Sequence, residues 1–404
     1  MLTLISTRHL DEAMPQACRA CGERKFEEVL DLGLMPLAGD FRRQGEANKL
    51  YPLAVDVCEG CGLLQIREDV PPSVIFSPQY SYASSTIPAL VRHFDEYARQ
   101  VAPEPGTSRK RLLEIGCNDG VFLKPLADAG YEVVGIDASE NVAEMARERN
   151  LDVRSGLFGK RMAEEQKDAL GAFDVISCSN VFAHNSAVSD FVEGVLLLLR
   201  PGGEFWIEVH SAQSLYEGLQ WDCFYHEHCF YWTVHSLSRC LAAHGLNLIR
   251  YTTTPMHGGS LRAVFSRGEG SVVPSETELT LENWRRFRTR SLRSRVIIRD
   301  TIESLPIRYA YGAAGRAVIL INWTGIAPRL RFVVDGSPLR HGRTIPNTTV
   351  PVISEDEFSM RPDVDGWCLV TAHNYLEDIR RKVDSNHPER LVRFVTPLPH
   401  VAIQ

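Results

Sequence analysis

Two Cys-x-x-Cys motifs near the start of the chain constrain its fold more than any other feature. The first contains Cys18 and Cys21, and the second contains Cys58 and Cys61. This spacing lets each pair occupy one edge of a tetrahedron around Zn²⁺, and four thiolates leave no coordination position for water. The motifs therefore predict a structural zinc site, with a redox pair or unmetallated thiols as the alternatives.

The segment around these motifs supports a structural role for the metal. Residues 1–75 contain short predicted strands and no long amphipathic helix, and their apolar content is low for a stable core. Because zinc binding contributes folding free energy, the metal can supply the missing stability. The remaining cysteines show no framework spacing, so we expect reduced thiols rather than disulfides.

A second motif, at residues 114–120, has the sequence Glu-Ile-Gly-Cys-Asn-Asp-Gly. It follows a predicted strand and opens a helix, so its glycines let the chain pass close beneath a ligand. Asp137 ends the next predicted strand, where a carboxylate can bind both ribose hydroxyls of an adenosine-type cofactor. The absence of G-x-G-x-x-G favours S-adenosylmethionine over NAD, and an ordinary turn followed by a strand-end Asp is the other interpretation. The candidate cofactor residues are Glu114, Gly116, Asn118, Gly120 and Asp137.

The order of predicted elements indicates the fold class. Strands and helices alternate over residues 111–209, which predicts a mostly parallel, doubly wound sheet. A charged helix at about residues 277–303 leads into a second α/β unit. We expect an α/β protein with a small N-terminal zinc module, a central Rossmann-like class I methyltransferase domain and a smaller Rossmann-like C-terminal domain. We place these domains at residues 1–75, 76–272 and 273–404.

Composition excludes several other classes of protein. Hydrophobic residues make up 44% of the 404 residues and charged residues 24%, so the chain is globular rather than disordered or fibrous. A net charge of −7 without a long basic run does not indicate a surface that binds nucleic acid. No run of roughly 18 apolar residues occurs, and the apolar start is too short for a signal peptide. We therefore expect a soluble, cytoplasmic protein without a membrane partner, as a monomer or alternatively a dimer.

With these motifs in view, the whole chain resembles the sugar C-methyltransferase family, whose best-known members are 3-C-methyltransferases of dTDP-linked 4-keto-deoxysugars. The resemblance implies S-adenosylmethionine and zinc as cofactors and a nucleotide-sugar substrate, and it adds Asn180 to the cofactor residues. Besides the four cysteines, its marks are residues 80–85 (Tyr-Ser-Tyr-Ala-Ser-Ser), 116–120, 180–184 (Asn-Val-Phe-Ala-His), 225–228 (Tyr-His-Glu-His), 257–262 (His-Gly-Gly-Ser-Leu-Arg) and 311–313.

The chemistry of C-methylation asks for the same residue types. A carbon next to a ketone becomes nucleophilic only when a base removes its proton and a donor stabilises the enolate oxygen. By resemblance, His228 is the general base, Glu227 its partner and Tyr225 the donor to the oxyanion. The resemblance also places His184 near the substrate and favours Tyr80 over Tyr82 as a further pocket residue.

Several alternatives stay open at this stage. His226 and His228 could bind a metal, His184 could be a core histidine, and residues 257–260 could form a simple turn. Arg316 stands where relatives usually carry a Lys-Gly step, which puts the acceptor in doubt more than the reaction. The competing functions are C-methylation of a non-sugar carbonyl compound, O- or N-methylation, and a non-catalytic binding module.

Overall fold

Three β-sheets organise the protein. A computed structural model describes residues 17–75, 83–103, 109–268, 270–361, 366–386, 388 and 391–404. The expected α/β class is confirmed, since two of the three sheets are mostly parallel and are covered by helices. Among the described residues, no helix has both the length and the apolar character needed to span a membrane.

The first sheet belongs to the cysteine-rich N-terminal part and is antiparallel. It receives its last strand from a point far along the chain, beyond the expected domain boundary. In spatial order its strands are β1 (Phe26–Pro36), β2 (Leu50–Cys58), β3 (Leu64–Ile66) and β9 (Phe230–Tyr231). Strand β9 therefore attaches the segment next to residues 225–228 directly to the N-terminal module.

The central sheet has the doubly wound arrangement predicted from the alternation of elements. Its strand order is β10-β11-β8-β7-β4-β5-β6, and β11 runs antiparallel to both of its neighbours. The strands are β4 (Arg111–Ile115), β5 (Glu132–Asp137), β6 (Val153–Ser155), β7 (Phe173–Ser179), β8 (Leu199–His210), β10 (Leu246–Thr254) and β11 (Ser260–Arg267). The chain order reverses between β4 and β7, and this switch point opens a crevice at the carboxyl ends of the strands.

Helices connect and cover these strands. Helix α8 (Val234–Ala242) begins with a capping box in which Thr233 and Ser236 exchange backbone and side-chain hydrogen bonds. The helices up to the third sheet are α1 (Pro72–Ile75), α2 (Pro88–Gln100), α3 (Leu123–Asp128), α4 (Glu140–Glu148), α5 (Lys160–Leu170), α6 (Val188–Leu198), α7 (Ala212–Glu217), α8 (Val234–Ala242) and α9 (Leu281–Ser304).

One sequence-based boundary is wrong. The Pro201-Gly202-Gly203 step predicts a break before a strand at 204–209, but β8 begins at Leu199 and runs through it. The register against β7 shifts at this point, because Leu199 pairs with Phe173 while Glu204 pairs with Val175. The extra residues bulge out of the ladder, which Pro and Gly tolerate at a strand end.

The C-terminal sheet is a smaller unit with the order β14-β13-β12-β15-β16-β17, and only β17 is antiparallel within it. Its strands are β12 (Tyr309–Tyr311), β13 (Phe332–Val334), β14 (Val352–Ile353), β15 (Gly366–Val370), β16 (Val392–Thr396) and β17 (Ala402–Ile403), and its helices are α10 (Gly315–Thr324), α11 (Glu355–Ser359) and α12 (Leu376–Asn386).

The three sheets share one hydrophobic core that continues from the N-terminal module through the central sheet to α10. Trp221 of the central part packs edge-on against Trp323 of α10, with ring centroids 4.6 Å apart. Arg285 of α9 pairs with Glu27 of β1. The crevice at the switch point therefore opens into a space bounded by all three parts of the chain.

Candidate active site and metal site

The four predicted zinc ligands lie together. Their sulfur atoms are all within 4.8 Å of one another. The Sγ atoms of Cys18 and Cys61 are 3.7 Å apart, and those of Cys21 and Cys58 are 3.6 Å apart. A Zn–S bond of about 2.3 Å gives tetrahedral edges of about 3.8 Å, and these two separations are close to that length.

The turn after β4 is tightly packed and is hydrogen-bonded to the end of β5. Gly116 has φ +72°, and a Cβ there would lie 2.2 Å from Val181 Cγ2. Asp137 stands at the end of β5, where its carboxylate accepts hydrogen bonds from the backbone amides of Asn118 and Ser139, each at 2.8 Å. The turn and the acidic strand end are thus held in one rigid arrangement beside the crevice.

A cavity of about 560 Å³ starts at this turn and extends towards the C-terminal unit. Four of the six candidate cofactor residues line it, namely Gly116, Asn118, Asp137 and Asn180. The other two support the turn from behind. Glu114 is 3% exposed, and burial raises the pKa of its carboxyl group well above its usual value. Gly120 packs on Leu151, because a Cβ at position 120 would lie only 2.4 Å from Cδ1 of Leu151.

The loop at residues 225–228 forms the opposite wall of this cavity. The Tyr225 hydroxyl lies 3.3 Å from Nε2 of His228. The ring of His184 stands perpendicular to that of His228, with centroids 4.8 Å apart. Glu227 accepts a hydrogen bond from the Gly39 amide at 3.0 Å. All four predicted side chains line the cavity, because the loop bends instead of running as a strand.

Burial keeps the imidazoles of this wall neutral. It lowers the pKa of His228 well below its usual value of 6.5, and charges on His184, His210 and His257 would act in the same direction. Burial also lowers the pKa of His184 to about 4. Hydrogen bonds to the backbone of Asn180 and Glu227 act in the opposite direction but are outweighed. A neutral imidazole carries the lone pair that a general base needs.

His226 is excluded from this wall. It is fully buried, and its Nε2 is 3.1 Å from the backbone oxygen of Pro52 in β2. Within the described ranges, the only group with metal-ligand geometry is the four-cysteine cluster. The alternative of a metal bound by His226 and His228 therefore receives no support. Tyr80 and Tyr82 lie outside the described residues.

The structure also places cavity residues that the sequence-based candidates omit. His210 at the end of β8, His257 and Tyr375 all line the cavity. Nδ1 of His257 lies 3.3 Å from the Tyr375 hydroxyl. The His-Gly-Gly-Ser motif is a sequence signal for His257, whereas nothing local marks His210 or Tyr375.

Two arginines, one at the end of the 257–262 motif and one in α10, make internal ion pairs. Arg262 is buried against Glu208, and its guanidinium lies 3.6 Å from the centre of the Tyr97 ring. It does not line the cavity. Arg316 does line it, but forms a bidentate pair with buried Asp222 at 2.8 and 2.9 Å.

Comparison with known proteins identifies the chain. Residues 18–76 match a family model described as a zinc binding domain, residues 90–251 one described as a methyltransferase domain, and residues 255–399 one described as a C-methyltransferase C-terminal domain. The C-methyltransferase NovU of Streptomyces niveus is 28% identical over 406 residues, which cover 95% of each protein. The chain is a C-methyltransferase that contains all three parts described by these models.

Other similarities cover less of this C-methyltransferase. The ubiquinone biosynthesis O-methyltransferase of Mesorhizobium japonicum is 35% identical over 121 residues, which are 28% of this chain and 47% of that protein. The crystal structure of magnesium protoporphyrin IX methyltransferase (ChlM) from Synechocystis PCC 6803 with bound SAM has 15% identity and a TM-score of 0.34, covering 44% of this chain and 79% of that one.

The expected cofactors are thereby confirmed. The C-methyltransferase uses S-adenosylmethionine, and its four-cysteine site is a zinc site. The methyltransferase model includes both the Gly116 turn and Asp137, and the zinc binding model includes both Cys-x-x-Cys motifs.

Proposed function

We propose that this C-methyltransferase methylates the carbon next to the ketone of a nucleotide-linked keto-deoxysugar, with dTDP as the nucleotide. The observation that carries the proposal is the Tyr225–His228 pair, which faces the same cavity as the Gly116 turn and Asp137. A base and a donor on one wall, opposite a cofactor turn, suit deprotonation of a carbon acid beside a methyl donor.

The residues act in a defined order in this proposal. The Tyr225 hydroxyl lies 3.3 Å from Nε2 of His228, and we assign it as the donor to this nitrogen in the protein without substrate. A ketone oxygen that enters the cavity takes over this hydroxyl, which releases the Nε2 lone pair. His228 then removes the proton from the adjacent carbon, the C–H electron pair forms the C=C bond, and the negative charge moves to the oxygen. When bound, S-adenosylmethionine supplies the methyl group that the enolate carbon accepts.

Other residues hold this arrangement. We assign the cofactor to Gly116, Asn118, Asp137 and Asn180, with Glu114 and Gly120 shaping the turn. Glu227 links the loop to the N-terminal module through the Gly39 amide.

The C-terminal unit supports the assignment of a nucleotide-linked acceptor. The turn between β12 and α10 contributes Gly312, Gly315 and Arg316 to the cavity. Arg340, which pairs with Asp335, also lines it. A helix N-terminus with nearby cations suits a diphosphate. In this division of labour, residues 1–75 form the zinc module, 76–272 the methyltransferase domain and 273–404 the acceptor domain.

The second candidate is a non-sugar carbonyl acceptor. It is favoured by one observation, that the charge of Arg316 is already matched by Asp222, which leaves less positive charge for a phosphate. If the acceptor is a sugar nucleotide, we place the enzyme in natural-product or polysaccharide sugar biosynthesis. We expect it to act in the cytoplasm.

Isotope exchange tests the proposal. The purified protein is incubated in deuterated water with S-adenosylmethionine and a panel of dTDP-4-keto-deoxysugars, and the products are analysed by mass spectrometry. We expect deuterium uptake and methyl transfer at the same carbon, both lost in His228→Ala. The His400→Gln variant, at an exposed residue, is the control. Transfer to a non-sugar ketone, with none to the panel, would select the second candidate.

A further inference from the structure

A second phenol–imidazole pair faces the cavity and has no role in the mechanism above. Tyr375 of the C-terminal unit and His257 of the central unit are 118 residues apart in the chain. Their hydroxyl and Nδ1 are 3.3 Å apart, the same separation as between Tyr225 and His228. Both members line the cavity. The two pairs are close enough that a charge on His257 would lower the pKa of His228.

The backbone at His257 is held in an unusual conformation. His257 has φ +56° and ψ +16°, which is the left-handed region that non-glycine residues rarely adopt. Gly258 fits between Gln220 and Asn374, since a Cβ there would lie 2.6 and 2.7 Å from their side-chain atoms. The guanidinium of Arg316 lies 3.5 Å from the His257 carbonyl oxygen. Strain of this kind persists where the surroundings over-determine a side-chain position, typically at functional sites.

Tyr375 selects one tautomer of the His257 ring. Its hydroxyl can donate to Nδ1 of His257 or to the Met256 sulfur at 3.8 Å, and the imidazole nitrogen is the stronger acceptor. Burial lowers the pKa of His257 to about 4, so the ring is neutral near pH 7. A neutral ring that accepts at Nδ1 carries its proton on Nε2. No hydrogen bond to Nε2 occurs within the described part of the chain, so this donor is available to a ligand.

We propose that His257 donates Nε2–H to the acceptor oxygen that gains negative charge on deprotonation, with Tyr375 as the positioning residue that holds the imidazole in this tautomer. The assignment rests on the proposed enolate route. It gives the developing oxyanion two donors, the Tyr225 hydroxyl and the His257 imidazole, from different walls of the cavity. A neutral imidazole is a suitable electrophile because it stabilises the charge without transferring its proton.

The tautomer is tested without any substrate. The ¹⁵N and ¹³C shifts of the His257 ring are measured by NMR in the zinc-loaded protein, and the signal is assigned with His257→Asn. Asn tolerates the left-handed conformation, so the turn is preserved. We expect the Nε2–H tautomer in the unmodified protein and a mixture of tautomers in Tyr375→Phe. A predominant Nδ1–H tautomer in the unmodified protein would overturn the proposal.

Kinetics test the catalytic role. With a dTDP-4-keto-deoxysugar that is a substrate, or with the non-sugar ketone if that alone reacts, His257→Asn should lower kcat about 10²–10³-fold and leave KM within a few-fold. In the same variant, the rate of deuterium uptake by the substrate should fall together with kcat. Tyr375→Phe should lower kcat less, and its effect should vanish in the His257→Asn background. The controls are His400→Gln and Tyr251→Phe. A rise in KM with unchanged kcat would assign His257 to binding alone and refute the proposal.

If no compound is turned over or exchanged, the proposed function fails. The NMR result then stands on its own, because it requires no acceptor.

Discussion

Gly116 shows how strongly one residue position is constrained at the cofactor turn. Its φ of +72° and its contact with Val181 both exclude a side chain. The left-handed conformation costs other residues about 1–2 kcal/mol, and overpacking adds about 1–3 kcal/mol. The absence of a side chain at Gly116 therefore lets the turn lie close to Asn180 and Val181, which follow β7 and line the same cavity.

We predict that Gly116→Ala destabilises the protein by about 2–5 kcal/mol and weakens S-adenosylmethionine binding. The measurements are denaturant unfolding and calorimetric titration with the cofactor. Gly130→Ala is the matched control, since Gly130 also has a positive φ but a Cβ there would meet no atom within 4 Å. Equal losses in the two variants would show that the contact with Val181 is unimportant.

At the scale of elements, the loop at residues 225–231 packs on the zinc module. Strand β9 pairs with β3 through Leu64 and Tyr231, and the Ile66 amide donates to the Cys229 carbonyl at 3.0 Å. The Gly39 amide donates a hydrogen bond to the Glu227 carboxylate, and Nε2 of His226 is hydrogen-bonded to the backbone oxygen of Pro52. The loop at 225–231 is thus seated on the sheet that the four cysteines close. We therefore expect the metal to influence methyl transfer through this sheet, which positions the loop.

Zinc removal should therefore loosen the loop. On chelation, we expect backbone amides at 225–231 to exchange faster with deuterium, together with those of β2 and β3, and methyl transfer to be lost. Strand β16, in the C-terminal sheet, is the internal control. Faster exchange in β2 and β3 with unchanged exchange at 225–231 would disprove this dependence. Re-addition of Zn²⁺ should restore both readouts.

At the scale of the whole molecule, a buried ion pair joins the central and C-terminal units. Arg316 at the start of α10 binds Asp222, which is fully buried, and also His373 at 2.9 Å. Such a pair is weak support for stability as a whole, but removing one partner leaves an uncompensated charge in the interior. The pair thus fixes the position of α10 beside the cavity.

We predict that Asp222→Ala lowers the free energy of unfolding by about 3–5 kcal/mol, while Asp222→Leu combined with Arg316→Met costs much less. Urea denaturation monitored by tryptophan fluorescence is the measurement. The exposed pair Arg161–Glu165 provides the control, where Glu165→Ala should cost less than about 1 kcal/mol. A loss in Asp222→Ala no larger than in this control would contradict the role given to the pair.

Much of this molecule could be predicted because its signals are local. The zinc motifs, the Gly116 turn with its strand-end Asp137, and the alternation of strands and helices each follow from spacing within a short segment. The α/β class, the two cofactors and the C-methyltransferase family were all predicted correctly. The two edge strands of the central sheet, β6 and β10, were missed. The Pro-Gly-Gly step was interpreted as a break between elements. Pro and Gly are favoured both at breaks and at bulges within a strand, so the local sequence does not distinguish them.

By itself, the sequence determined the class of fold, the metal ligands and the reaction type, since these depend on residue identity and short-range spacing. Only the tertiary structure decided that β9 completes the zinc module, that Asp222 takes the charge of Arg316, and that His257 meets Tyr375. Contacts between segments this far apart in the chain depend on how the three units pack around their shared core. Local preferences carry no information about that packing, because they act over a few residues at a time.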